Sequence, residues 1–489
     1  VANLRKICDE IFGEENFVAT LVWDKNRKND ARFFSVGHEY MLTYFKNMNV
    51  VVATDTILRM PKEGVEEIKK QFYNLKKQYG NDWVRIATEI KEVYSSWSED
   101  DDRKPLARFS KVDENGPYRD DGNISWPGGG GPKYDVIHPF TQKKCKVPDA
   151  GWRFPNPERM KEEIAHGRVV FGPDETTLPR IRRNLFESDS QVMRSVNFSY
   201  AQTATTEFNK LFSNLRVFEN PKHFGDIRKI VMYVSNSKDD IILDFFSGSA
   251  TTAHAIMQLN AEDGGNRKFI MVQIPELCDE KSEALKAGYK NICEIGKERI
   301  RRAGKKIREE LENKEKKDAE NIQTSMALDE PDTTNKRTTP LDTGFRVFKL
   351  DTSNIKEWHT DTDDIAAQLY GHQEHLLDTR SEEDILYELM LKLNIPLTGK
   401  VEERTIAGKT VYCVGGGKLF VTLPNTIKPE EVEPLSYGII QWHKETGYIA
   451  GKNTDVSFVF RDSSFANDVV KCNLTAIFEQ AGLTNLRSL

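Results

Sequence analysis

The run Ile241-Ile-Leu-Asp-Phe-Phe-Ser-Gly-Ser-Ala-Thr-Thr-Ala-His254 constrains this chain more than any other stretch. An apolar run reads as a strand over 241–246, small residues make a tight turn, and a helix follows over 251–259. A second apolar run, 269–274, reads as another strand, so the whole is a βαβ unit. The first strand reads as buried. This arrangement places backbone N–H groups and a helix N-terminus beside any ligand at the strand's carboxyl end. After the second strand comes Gln273-Ile-Pro-Glu276, some 32 residues beyond Asp244, where a carboxylate accepts two hydrogen bonds from ribose hydroxyls. A small-residue turn alone is commonly plain βα packing. Together with the carboxylate it reads as a cofactor cradle.

The details select among cofactors. A dinucleotide fingerprint would need glycine at 250 and 253, where this chain has Ala250 and Ala253. No G-x-x-x-x-G-K-[ST] occurs, which removes P-loop phosphoryl transfer. S-adenosylmethionine carries no phosphate and needs one close turn, a ribose carboxylate and room for a sulfonium. Asp244, Gly248 and Glu276 meet those needs.

Composition bounds the rest. A length of 489 residues implies about three domains. No apolar run approaches the length of a bilayer span, and residues 1–12 lack a basic opening and an apolar signal core, so a cytoplasmic address with no membrane contact is the default expectation. The six cysteines stand far apart without a C-x-x-C pair, so they are expected to be reduced thiols, and no metal site is proposed. Lys and Arg number 70 against 76 Asp and Glu, a net charge of −6, so any nucleic-acid site must be local. Residues 133–183 carry eleven basic against seven acidic side chains.

Along the chain, 1–12 reads as a helix stopped by Gly13, and 17–23 and 40–45 read as strands. Residues 65–79 and 83–94 show helical spacing, and the acidic run 99–102 reads as a solvated loop. Residues 103–205 are irregular and rich in Gly, Pro and aromatics, with strand-like pieces at 134–137 and 168–171. Helices are expected at 224–234 and 292–311. The outer face of the second carries Arg299, Arg301, Arg302, Lys305, Lys306 and Arg308, a pattern better explained as solvated than as phosphate-binding. Residues 313–340 read as a charged, Thr-rich linker, and the glycines at 415–417 as a hairpin turn.

With Phe218-Glu-Asn220-Pro221-Lys222, the turn at 244–255, and Asn-Arg-Lys-Phe-Ile-Met-Val-Gln-Ile-Pro-Glu at 266–276, the chain resembles the modification subunit of a type III restriction–modification system. These are adenine-N6 DNA methyltransferases of the permuted class, in which the catalytic motif and the target-recognition insertion precede the cofactor turn. Gly37-His38-Glu39-Tyr40, Trp126-Pro-Gly-Gly-Gly-Gly-Pro-Lys-Tyr134, His138-Pro139 and Gly151-Trp152-Arg153-Phe154 extend the likeness. The resemblance implies an α/β, Rossmann-like methyltransferase core with an inserted target-recognition domain and a C-terminal α+β domain. The expected boundaries are 1–50 for the remainder of the catalytic half, 51–205 for the recognition insertion, 206–312 for the adenosylmethionine-binding half, 313–340 for the linker and 341–489 for the distal domain.

By the same likeness, Asn220 and Lys222 border the methionine end of the cofactor, Asp244, Phe246, Gly248 and Ala250 form its turn, and Glu276 holds the ribose. The expected partners are double-stranded DNA, a restriction subunit that is an ATP-dependent translocase and nuclease, and a second copy in the full-length protein. Lys133, Lys143, Lys144 and Arg153 are the expected DNA contacts. Trp126, Trp152 and Phe154 read equally as DNA contacts or as core of the insertion, and His38 reads as structural.

One departure bears on mechanism. The family's Asp-Pro-Pro-Tyr motif polarises the weakly nucleophilic adenine amine and stacks on the flipped base. None of the 19 prolines here neighbours another. No catalytic residue is therefore assigned, and the chain is expected to be an incomplete one, silent by itself. The alternative readings are a non-catalytic DNA-binding or scaffolding subunit that keeps the fold, and a nucleotide-dependent oxidoreductase, which lacks the two glycines.

Overall fold

A computed structural model describes residues 1–25, 32–99, 101, 103–187, 189–235, 237–324, 340–357, 375–447 and 456–489, apart from the side chains of 317–324. It divides into two compact units, Val1–Thr343 and Gly344–Leu489. Among the described residues no helix is long and apolar enough to cross a membrane.

The first unit opens with α1 (Ala2–Phe12), stopped at Gly13, then β1 (Phe17–Asp24) and β2 (His38–Tyr44). These strands pair antiparallel, Val22 opposite Tyr40. The chain then makes a long excursion through α2 (Met48–Ala53), β3 (Met60–Pro61), α3 (Val65–Tyr79), α4 (Trp83–Ser95), β4 (Lys111–Asp113), β5 (Gly116–Gly122), α5 (Pro157–Ala165), β6 (Val169–Val170), β7 (Arg180–Asn184) and β8 (Ser190–Gln191). It returns as β9 (Val196–Phe198), parallel to β1 with Val22 opposite Val196. The short ladder between β3 and β8 joins the two ends of the excursion.

Helical periodicity builds the excursion's first core. Val65, Ile68, Phe72 and Leu75 of α3 face Ile86, Ile90 and Tyr94 of α4, with Trp97, Leu106 and Leu185 closing the cluster. Asp82 caps α4 by accepting the Arg85 N–H at 3.1 Å. A second cluster gathers Ile124, Val136, Cys145, Trp152, Met160 and Ile181 under the antiparallel sheet β4-β5-β7-β6. Trp152 is fully buried and donates its indole N–H to the Tyr134 carbonyl at 2.8 Å, so it belongs to this core. A side chain at Gly151 would meet the Gly131 backbone at 2.3 Å, which explains why glycines face each other where this loop folds back. The segment 134–137 is not a strand, because its ladder shrinks to the single bridge Ile137–Lys144.

After α6 (Ala201–Leu211) and α7 (Phe224–Val234) comes β10 (Ile241–Phe245), crossing through α8 (Thr251–Asp263) to β11 (Lys268–Val272). The pair is parallel, with Asp244 opposite Met271. α8 is rich in small residues, and eight of its residues, Thr251, Thr252 and Asn260 among them, are buried. That pattern suits a helix covered on every side rather than along one stripe. The short α9 (Glu283–Lys286) leads to α10 (Ile292–Thr324).

Three expectations need correction, and a fourth falls partly outside the described residues. β10 is not buried throughout: Ile242 faces Ile256 and Leu259, while Ile241, Leu243 and Phe245 are exposed, as are Ile270 and Val272 beside them. No described element covers that face, unusual for a parallel pair. The stretch 313–324 is helical rather than linker. Its Lys, Glu and Gln residues are good helix formers that continue α10, and 325–339 lie outside the described residues. Within the stretch 51–205 read as an insertion, β9 joins the core sheet through hydrogen bonds that a three-residue apolar pattern does not announce. The acidic loop at 99–102 includes 100 and 102, which lie outside the described residues.

The second unit holds α11 (Glu382–Lys392), β12 (Val401–Ile406), β13 (Lys409–Val414), β14 (Leu419–Thr422), α12 (Pro429–Thr446), β15 (Ser457–Phe460), α13 (Asp468–Gln480) and β16 (Leu486–Ser488). Its five strands form one mixed sheet in chain order. One apolar cluster centres on Phe420, Phe458 and Phe478, and another on Leu386, Met390 and Val414. The glycines at 415–417 turn the antiparallel hairpin between β13 and β14.

Candidate functional site

The parallel register brings the carboxyl ends of β10 and β11 side by side, and the loops that leave them share one edge of the sheet. Ser247 N–H donates to the Val272 carbonyl at 3.0 Å and Gly248 N–H to Gln273 Oε1 at 2.6 Å, tying the turn to the second strand. Gly248 has φ +53°, the left-handed region that glycine enters without strain. Ala250, the cap of α8, sits at φ +58° and is buried, so a non-glycine residue is held there by its surroundings. Asp244 accepts the Thr252 hydroxyl at 2.5 Å, and Phe246 is 66% exposed.

Glu276 lies three residues past Gln273 on the same edge. Its backbone is fixed by the Ile292 N–H at 3.0 Å, while its exposed carboxylate has no hydrogen bond or ion pair among the described residues. Lys222 lies beside the start of α8. The Thr251 hydroxyl reaches the Lys222 carbonyl at 3.5 Å, and the Lys222 ammonium pairs with Glu39 of β2 at 2.7 Å. Lys222 and Glu39 are both well exposed, so that pair contributes little and leaves the ammonium free to exchange partners. His38 makes its own contact, Nε2 to the Tyr40 hydroxyl at 2.6 Å.

Sequence reasoning missed what supports the turn from behind. Arg299, assigned to the solvated face of α10, points inward and is 3% exposed. Its guanidinium donates to Ser249 Oγ at 3.0 Å and Thr251 Oγ1 at 2.6 Å, and lies over the Phe208 ring at 5.2 Å. Burial pushes it down to about 9, the charge of Glu207 offsetting only part of the effect. The neighbouring His254, packed on Phe224 with ring centroids 4.4 Å apart, is pushed down to about 3 by burial and by the positive charge of Arg299. The available signal was that Arg299 shares one face with Ile292, Ile295 and Ala303 at helical spacing.

A second buried network lies where β1, β9 and α7 meet. The Lys25 ammonium donates to Asp226 Oδ2 at 2.6 Å and to Ser199 Oγ at 3.0 Å, and Ser199 Oγ lies 2.7 Å from the same carboxylate oxygen. His223 Nδ1 approaches Asp226 Oδ1 at 3.0 Å. Burial raises the Asp226 carboxyl, but hydrogen bonds from His223, Lys25 and Ser199 outweigh it and bring the group down to about 2. This cluster pins the helix that follows Asn220–Lys222 to the central sheet.

On the excursion, Lys133 is exposed and Arg153 half-buried, and neither forms an ion pair among the described residues. Lys143 pairs with Glu175 at 3.1 Å and Lys144 with Asp135 at 2.6 Å, both on the surface. The carboxyl edge and these lysines are separate features within the first unit, and no hydrogen bond or ion pair among the described residues joins them.

Comparison with known proteins bears directly on this geometry. Residues 1–303 match the profile of a family described as DNA methylase. The chain belongs to that DNA methylase family. It is similar to the type III restriction–modification enzyme EcoP15I Mod subunit of Escherichia coli, with 33% identity over 313 residues, covering 63% of this chain and 47% of that protein. The StyLTI Mod subunit of Salmonella typhimurium is 31% identical over 312 residues, 63% of this chain and 41% of its own length. The type II methyltransferase M.KpnI of Klebsiella pneumoniae is 28% identical over 321 residues, 60% of this chain and 64% of its own. The chain thus spans about half the length of the Mod subunits it matches. The matched region takes in the whole carboxyl edge of β10 and β11, and the mixed helices and sheets described above are consistent with an α/β fold of that family.

Proposed function

We propose that the chain is the modification subunit of a type III restriction–modification system, a sequence-specific DNA adenine-N6 methyltransferase that uses S-adenosylmethionine. One observation carries the cofactor assignment. The Gly248–Ala250 turn and the Glu276 carboxylate, which has no partner among the described residues, leave the carboxyl ends of adjacent strands, and within 4 Å a side chain at Gly248 would meet only Phe218, at 3.6 Å, among those residues. Those residues fit an uncharged nucleoside sugar better than a pyrophosphate.

In this reading Glu276 accepts both ribose hydroxyls, Gly248 and Ala250 let the backbone approach, and Asp244, held by Thr252, sets the end of the strand. Phe246 offers an apolar surface to the nucleoside, while Asn220 and Lys222 bind the amino-acid end. S-adenosylmethionine supplies an electrophilic methyl group when bound. The adenine amine still needs acceptors for its hydrogens, and no pair of adjacent prolines exists in these 489 residues to build the Asp-Pro-Pro-Tyr motif. The chain by itself therefore binds but does not transfer. Duplex DNA, a restriction subunit and a second copy of the modification subunit are the proposed partners.

Calorimetry with S-adenosylmethionine and with NAD tests the assignment. The first is expected to bind, and Glu276→Ala to weaken it about 10- to 100-fold through loss of charge-assisted hydrogen bonds. Binding of NAD alone would overturn the methyltransferase reading. Methyl incorporation into DNA by the unaided chain would overturn the silent-chain reading.

A further inference from the structure

The turn at 138–142 presents Phe140 in a way that core packing does not explain. The ring is 82% exposed, and Ile137 beside it is 49% exposed. The turn beneath them is tightly built. His138 is fully buried; its Nδ1 accepts the N–H groups of Phe140 at 3.3 Å and Thr141 at 3.2 Å. Nε2 therefore carries the proton and donates to the Gly172 carbonyl at 3.1 Å. The His138 N–H donates to the Lys143 carbonyl at 2.8 Å, and the His138 carbonyl accepts the Gln142 N–H at 3.0 Å. An aromatic ring, 5.8 Å from the His138 ring, is thus held out in water on a turn whose backbone is already ordered before binding.

The surroundings indicate what the ring meets. Lys143, Lys144 and Lys146 follow the ring, with Asp135 and Asp149 at the two ends of the segment and Glu175 facing Lys143. Both ammonium groups are exposed, and the fully exposed pair of Lys144 with Asp135 exchanges readily for a phosphate contact, while Lys143 would leave the half-buried Glu175 to make one. A rigid aromatic flanked by lysines matches a polyanion with stacked, apolar steps at its centre. We propose that Phe140 is a wedge that enters duplex DNA and unstacks a base step, while Lys143 and Lys144 hold the adjoining phosphates. The proposal rests on the reading of duplex DNA as the partner, and adds to it the residue that deforms the DNA. An apolar wedge costs unstacking energy and recovers it through the closer fit of the bent duplex.

The test uses the 489-residue chain and a duplex enriched by it from a randomised pool, with affinity measured by fluorescence anisotropy and unstacking by permanganate oxidation of thymines. Phe140→Ala is expected to lower affinity about tenfold, to leave the salt dependence unchanged and to abolish the reactive thymines, with Phe140→Trp restoring both. Lys143→Gln with Lys144→Gln is expected instead to flatten the salt dependence by one to two phosphate contacts. Unchanged affinity in Phe140→Ala, or no reactive thymine in the wild-type complex, overturns the wedge. Failure of the wild-type chain to enrich any duplex overturns the DNA-binding reading beneath it, and needs no variant to be seen.

Discussion

Replacing Asp226 by Asn removes the carboxylate that faces the Lys25 ammonium while keeping nearly the same shape, so the change isolates charge. Both side chains are about nine-tenths buried, and they are 2.6 Å apart. The Asp226 carboxyl lies at about 2 instead of the ordinary 3.8, and a shift of that size corresponds to about 2.5 kcal/mol of folded-state stabilisation. Stranding the buried Lys25 charge raises the cost toward about 3 to 5 kcal/mol. The sign is that of a depressed acid. The stabilisation is fully present above pH 3.8 and is lost as pH falls through about 2.

Because the chain has two compact units, a global melting curve would blend them, so a local probe is needed. Hydrogen exchange read by mass spectrometry on peptides from β1 and α7 should speed up by about 60-fold to a few thousand-fold at pH 7 in Asp226→Asn. The double variant with Lys25→Met should recover much of the loss, since no unpaired charge then remains. Less than a threefold change in either peptide, or strict additivity of the two substitutions, would refute the argument that this pair pins α7 to the sheet.

Other outcomes follow from the same physics. His254 resists protonation when folded, so the first unit should lose stability from pH 6.5 down to about 3 by at most about 1.4 kcal/mol per pH unit; His254→Gln should flatten that limb in acid denaturation followed by circular dichroism. Arg299→Lys keeps the charge but loses the reach of the Nη1 group that bonds both Ser249 and Thr251, and calorimetry should show S-adenosylmethionine affinity falling about tenfold with little change in melting. The bare face of β10 and β11 should bind the dye ANS at neutral pH, and Leu243→Lys with Val272→Lys should reduce the fluorescence by about half or more without altering the far-ultraviolet spectrum.

What could be read in advance was what depends on near neighbours in sequence. The helices α3 and α4 follow from apolar spacing and their stops. The unit from β10 to β11 follows from two short apolar runs around a turn of small residues, and the hairpin at 415–417 from its glycines. The order of motifs around Asp244 and Glu276 likewise needed no coordinates to point toward the methylase family. The support of the site was not legible in this way. Arg299 looked like one more cation in a basic helix, and only packing against Phe208 and the turn shows that it is buried.

Lys25, Ser199 and Asp226 are 174 and 27 residues apart along the chain, so no local pattern links them. Trp152 was ambiguous because an aromatic serves a core or a DNA surface equally well until its indole N–H is seen bonded inside. Local propensity and periodicity are properties of a few adjacent residues and are written in their order. Burial, charge pairing and the short parallel ladder that brings β9 beside β1 depend on which distant segments meet, and that is settled only when the chain has closed on itself.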